Sequence, residues 1–208
     1  MNRQISRIGA AIVTITVFLF ALFLIQDFSF GSYFVCMLLP IGYIMMAAGL
    51  CHEAGEEGKV PATIGMIFAA IYAALILLVY FAQTTSVRLD GLGDEALRVL
   101  DFRRGGLIFN YDLLGYGMMA LSTFFLGLTV RVENRRDVWL RWLMLVHGVF
   151  FLSCFILPMT GLFRGMAGGE TSRGGSMALV AWCACFLPIG ILAYRHFGND
   201  NTSQEDRS

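Results

Sequence analysis

The chain carries little charge. Of its 208 residues, 14% are charged and 57% are hydrophobic, whereas soluble domains carry about 25% charge. A water-facing globule of this size cannot hide so much apolar surface, so lipid must solvate part of it. Mean hydropathy is +0.69. Neither sign of charge dominates: 15 basic and 15 acidic side chains leave a formal net charge of zero. That balance argues against nucleic acid as a partner, which would want a basic stripe. Lysine is nearly missing, with Lys59 the only one. The five cysteines (Cys36, Cys51, Cys154, Cys183 and Cys185) have no zinc-site spacing and read as small apolar thiols. The G-x-S-x-G and G-K-S/T motifs are absent. "CHEAGEEGK" begins like H-E-x-x-H but lacks the second histidine, and Gly55 breaks the helix, so it reads as a charged turn. The sequence calls for no catalytic residue, no metal and no cofactor.

What the chain does have is six apolar segments, at 8–26, 30–50, 61–83, 107–130, 139–163 and 176–195. Each is near the roughly 20 residues that a helix needs to cross about 30 Å of hydrocarbon. Backbone polar groups must be satisfied internally in lipid, so the segments are helices. Barrel strands are shorter and alternate in polarity, which these do not. The expectation is an all-α polytopic membrane protein: a six-transmembrane-helix bundle over residues 1–196, with a polar, disordered tail over 197–208. The stretch "MNRQISR" resembles the start of a signal peptide, but the apolar run behind it is too long and lacks a cleavage site. It reads as a retained first span.

With the N-terminus inside, Arg3, Arg7, Lys59, Arg131, Arg135, Arg136, Arg141, Arg195 and Arg207 lie on the cytoplasmic side. Arg88, Arg98, Arg103, Arg104, Arg164 and Arg173 then lie outside. The bias favours both termini in the cytoplasm, as for a bacterial inner-membrane protein. In the outer loop 84–106, "GDEALRVLDF" puts Leu92, Ala96, Val99 and Leu100 near one helical face. A short amphipathic surface helix over 94–103 is expected, N-capped by Asp94 and ended by Gly105-Gly106. It is either a lid or an ordinary covered loop helix. The stretch "RGMAGGETSRGGS" reads as a flexible glycine-rich loop.

The fourth segment contains an acid, Asp112, about one and a half turns below its outer end at 1.5 Å per residue. A bare carboxylate there is costly and must be partnered, protonated or wet. Gln83, Arg88 and Arg164 are candidate partners at the same level. His147 lies deeper, separated from Asp112 by roughly 15 Å of helix rise. It either hydrogen-bonds a neighbouring hydroxyl or carbonyl, or brackets a water-filled path with Asp112. "GYIMMA" at 42–47 is echoed as "GYGMMA" at 115–120, which would bring Tyr43 and Tyr116 to related sides of one site if it marks a true repeat. Pro40, Pro158 and Pro188 invite kinks in three spans.

Three functions follow. In the first, the bundle binds or transports a small molecule or ion, with Asp112 as charged contact and Tyr116, Tyr43, Gln83, Arg164 and His147 around it. In the second, the chain is an assembly subunit that joins a membrane-protein partner or a second copy, with Asp112 locked to an arginine. The third, a lipid-modifying enzyme, would need several reactive groups at one depth, which only the outer cluster approaches. The lipid bilayer is the one partner common to all three.

Overall fold

The computed structural model describes residues 1–161 and 170–198, with only the backbone of 170–178 described. No strand occurs among the described residues. The spans are α1 (Asn2–Ile25), α2 (Ser29–Glu53), α3 (Lys59–Thr84), α6 (Leu107–Thr129), a fifth span divided into α7 (Arg135–His147) and α8 (Phe150–Met159), and α9 (Glu170–His196). Two short helices, α4 (Ser86–Leu89) and α5 (Asp94–Leu100), lie between α3 and α6. Six helical stretches are long and apolar enough to cross a membrane. The chain is thus an all-α, multi-pass bundle suited to a bilayer.

The spans run past the apolar segments because polar residues at their ends continue the helix. α2 extends through Cys51, His52 and Glu53, and the linker to α3 is a single 3₁₀ turn at Glu56–Gly58. α9 begins at Glu170, so its first turns take up part of the expected glycine-rich loop. Arg164 and the tail beyond Gly198 lie outside the described residues, whereas Phe197, expected to belong to the tail, is buried in the core.

Consecutive spans pack side by side. α1 lies on α2, α2 on α3, α3 on α6, and α6 on α7 and α8; α7 meets α9, and α9 returns to α1. The six spans therefore close into a ring in chain order. Below, the end carrying residues 85–106 is the loop end, and the end carrying 54–58 and 130–134 is the hairpin end.

Small residues permit the close approaches. A Cβ on Gly9 would stand 2.7 Å from the Gly42 carbonyl, and one on Gly42 would stand 2.6 Å from Ile12. This pair brings α1 and α2 together much as small residues do at helix contacts in lipid. The fifth span breaks at Gly148, not at Pro158. A Cβ there would sit 2.7 Å from Phe124 of α6. At the break the backbone takes up i→i−3 bonds, from Gly148 N to Leu145 O and from Val149 N to Val146 O. The helices continue through Pro40 and Pro188.

The loop helix α5 is shorter than expected, and Gly93 rather than Asp94 caps it. Asp94 sits inside the first turn, where its carboxylate meets Arg104 at 2.6 Å and Arg98 at 3.4 Å. Two cations recruit it, so it does not turn back onto the backbone. The expected apolar face is only partly covered: Ala96 and Leu100 are half-buried, but Val99 is 46% exposed.

Gly42→Val forces branched carbons against Ile12 and the Gly9 carbonyl. It should destabilise the protein by roughly 1–3 kcal/mol, read as a lower melting temperature in detergent. The Arg104 hydrogen bond, then its charge, hold the Asp94 carboxyl below its usual range. That support is full above the ordinary carboxylate value of about 4 and fades as pH falls through the lowered folded value. Amide exchange over 94–104 should speed up there, with the spans unchanged.

Candidate functional site

Polar side chains inside a bundle in lipid must find partners in the bundle. Here they fall into three levels, and the sequence-predicted residues are divided among them.

Nearest the loop end, Gln83 is buried at the C-terminal end of α3. Its Nε2 donates to the Leu100 carbonyl at 2.7 Å, and its Oε1 accepts from the Phe102 amide at 3.0 Å. Gln83 thus clamps the loop backbone and is committed to that task. Beneath it lies Asp112, 2% exposed. The Tyr80 side chain lies beside the Asp112 carboxyl. Asp112 Oδ1 has no hydrogen-bond partner, and neither does the Tyr72 hydroxyl, among the described residues. Such buried orphans are few in folded proteins, and each asks for an explanation. No basic group forms an ion pair with Asp112 among the described residues; the Arg88 guanidinium instead lies over the Phe30 ring at 4.5 Å. Tyr116, one turn from Asp112 on α6, places its hydroxyl 3.8 Å from Cys36 Sγ.

The middle level is an aromatic column. Tyr72 stands between the two echoed tyrosines, with ring centroids 5.4 Å from Tyr43 and 5.9 Å from Tyr116. Tyr116 meets Trp182 edge-on at 5.1 Å, and Trp182 stacks on Phe186 at 5.1 Å. The Tyr43 hydroxyl donates to Ser122 Oγ at 2.9 Å, and Ser122 donates to the Gly65 carbonyl at 2.7 Å. His147 sits in the same column. Trp182 Nε1–H donates to its Nε2 at 3.0 Å, and its Nδ1 lies 2.7 Å from Thr123 Oγ1. An indole nitrogen can only donate, so Nε2 is the acceptor and Nδ1 carries the proton. His147 is therefore a neutral imidazole with both nitrogens in use.

Nearest the hairpin end is a charged cluster of which only one part, the charged turn "CHEAGEEGK", stands out in the sequence. His196 of α9 places Nδ1 2.8 Å from Asp137 Oδ1 and Nε2 2.9 Å from Glu53 Oε2. Glu53 also accepts from Arg3 Nε at 3.1 Å. Carboxylates only accept hydrogen bonds. With both ionised, the ring between them is an imidazolium that joins α2, α7 and α9, and Arg3 adds α1. Asp137 is fixed from its other side: its Oδ2 accepts from the Glu133 and Asn134 amides at 3.1 and 3.2 Å, and Asn134 returns the bond as a capping box. Nothing in the local pattern around His52-Glu53 or "ENRRD" points to these partners, which lie in other helices.

Asp112 and Tyr116 thus share one level, with Tyr80, Tyr72 and Cys36 as neighbours the sequence did not single out. Gln83 lies above, Tyr43 and His147 lie below, and Arg164 is outside the described residues. One signal was available. Tyr72, Ile76 and Tyr80 recur at turn spacing on α3, which puts both phenols on the face that Asp112 meets.

No protein-family model, curated protein or solved structure matches the chain. Its function is argued from its own residues.

Removing one member of a buried charged cluster leaves the rest unpaired. Asp137→Ala should cost about 3–5 kcal/mol, read as a fall in melting temperature, while the neutral His147→Gln should cost less.

Proposed function

We propose that the bundle binds or transports a small molecule or ion, with Asp112 as the charged contact and the proton as the smallest cargo that fits. One observation carries this reading: a buried carboxyl that, among the described residues, has one oxygen bare and no cation paired to it. A structural lock would use both oxygens and would bring an arginine. A carboxyl left short of a partner is suited to taking up a proton or a small cation. The Tyr72 hydroxyl, the other orphan, lies on the same face of α3 as Tyr80, the phenol beside Asp112. The loop clamped by Gln83 closes over this level, so loading from the loop end requires that clamp to release.

In this reading the protein sits in a bacterial inner membrane with both termini in the cytoplasm, and Asp112 faces the outer half of the bilayer. The assembly reading, in which an arginine locks Asp112, has less support: Arg88 lies over Phe30 and forms no ion pair with Asp112 among the described residues.

Asp112→Asn keeps the shape of the side chain but cannot titrate. In proteoliposomes under a pH gradient, the wild type should move protons or respond to pH, and Asp112→Asn should abolish this with little change in melting temperature. Infrared difference spectra across a pH titration should show a buried carboxyl band that Asp112→Asn lacks. Unchanged flux together with an unchanged spectrum would rule the reading out.

A further inference from the structure

A second polar feature at the loop end is unrelated to Asp112. A cleft of about 280 Å³ opens between the start of α2, the end of α3 and the loop. Two arginines line it, Arg88 and Arg103, and neither forms an ion pair with a carboxylate within 4.0 Å among the described residues. Both are held by uncharged groups. Arg88 lies over the Phe30 ring at 4.5 Å, and its side chain makes no hydrogen bond among the described residues, so its N–H donors are free. Arg103 donates to Ser29 Oγ, and the Tyr33 side chain lines the cleft beside it. A guanidinium has five donors, so others remain. Asp101 also lines the cleft, but its Oδ1 accepts from the Arg103 amide at 2.9 Å and its Oδ2 faces Arg104 at 3.9 Å. The charged lining is thus two cations and one carboxylate already occupied within its own loop. The cleft wall at Ser29 and Phe30 is the first turn of the 25-residue α2, whose N-cap Phe28 supplies no side-chain cap. The positive end of a long helix dipole is added there.

The floor is rigid, because Gln83 fixes the backbone at Leu100 and Phe102 beside Arg103. The cleft also stands at the depth where lipid headgroups meet water: α3 ends at Thr84, and Arg88 lies one turn beyond. Two guanidinium groups lining one cleft, with unspent donors, match the charge and hydrogen-bonding needs of a phosphate.

We propose that this cleft is a binding site for a phosphate group, seated between Arg88 and Arg103 and carried by a phospholipid of the leaflet at the loop end. The phosphate oxygens take the free guanidinium donors, and the acyl chains run down the exposed apolar flank at Phe30 and Phe34, which are 42% and 47% exposed.

The test uses the full chain, stripped of lipid in a neutral detergent. Dioleoyl phosphatidylglycerol is titrated against dioleoylglycerol, which has the same chains and no phosphate, and against glycerol 3-phosphate. Melting temperature and retained adducts in native mass spectrometry are the readouts. Phosphatidylglycerol should stabilise the wild type and remain bound, and dioleoylglycerol should do neither. Arg88→Gln and Arg103→Gln should each weaken phosphatidylglycerol binding about tenfold, as expected for loss of one charge-assisted contact. The Arg88 side chain makes no hydrogen bond among the described residues, so Arg88→Gln stands as the test if Arg103→Gln does not fold. Glycerol 3-phosphate binding as tightly as the lipid would keep the phosphate site and assign it to a soluble ester. Equal stabilisation by dioleoylglycerol, or undiminished phosphatidylglycerol binding to Arg88→Gln, would overturn the proposal.

Discussion

Hydrocarbon offers no hydrogen bonds, and every other feature of this fold adjusts to that. The backbone answers by becoming helical, which uses its donors and acceptors within each span. Side chains have no such internal remedy. Each polar group that enters the bundle must be matched by another from a neighbouring span, so the polar residues decide which helices meet and at what height. His196 between Asp137 and Glu53 fixes the hairpin end, Gln83 on the loop backbone fixes the other, and the Tyr43–Ser122–Gly65 chain joins three spans between them. Apolar packing fills the remaining space, but lipid competes for it almost equally well. Specificity therefore rests with the few polar contacts and with glycines that let backbones approach.

Against that background Asp112 is an exception. Other buried groups are matched: His147 uses both nitrogens, and Asp137 uses both oxygens. Among the described residues, one carboxyl oxygen and one phenol are left unsatisfied on adjoining helices. Departures from otherwise consistent design are where function is expected to lie.

Much of the fold was legible because a membrane span is a signal of length and apolarity, and both are written in consecutive residues. All six spans follow from that, with ends shifted by a few residues where polar side chains prolong a helix. Two features did not follow. The break in the fifth span comes from Gly148 pressing on Phe124, and nothing local marks that glycine as different from the others; proline drew attention to the wrong residue. The charged cluster at Arg3, Glu53, Asp137 and His196 joins positions up to 143 residues apart, and one sequence does not say which charged ends will be neighbours. The site itself was half legible. An acid inside an apolar run stands out, but the phenols around it belong to another helix and show only as a turn-spaced pair.

The ring closes where the last span meets the first. Arg7 of α1 lies over the Tyr194 ring of α9 at 4.5 Å, and a Cβ on Gly190 would stand 2.7 Å from Thr14. During synthesis these partners emerge at opposite times. α1 enters the bilayer early and must hold its α9-facing stripe against lipid or a chaperone until some 170 later residues have been made. Asp137 likewise waits for His196. Closure of the ring therefore waits until α9 has been made, and until then the bundle is an open crescent with the partners of α9 uncovered along its rim.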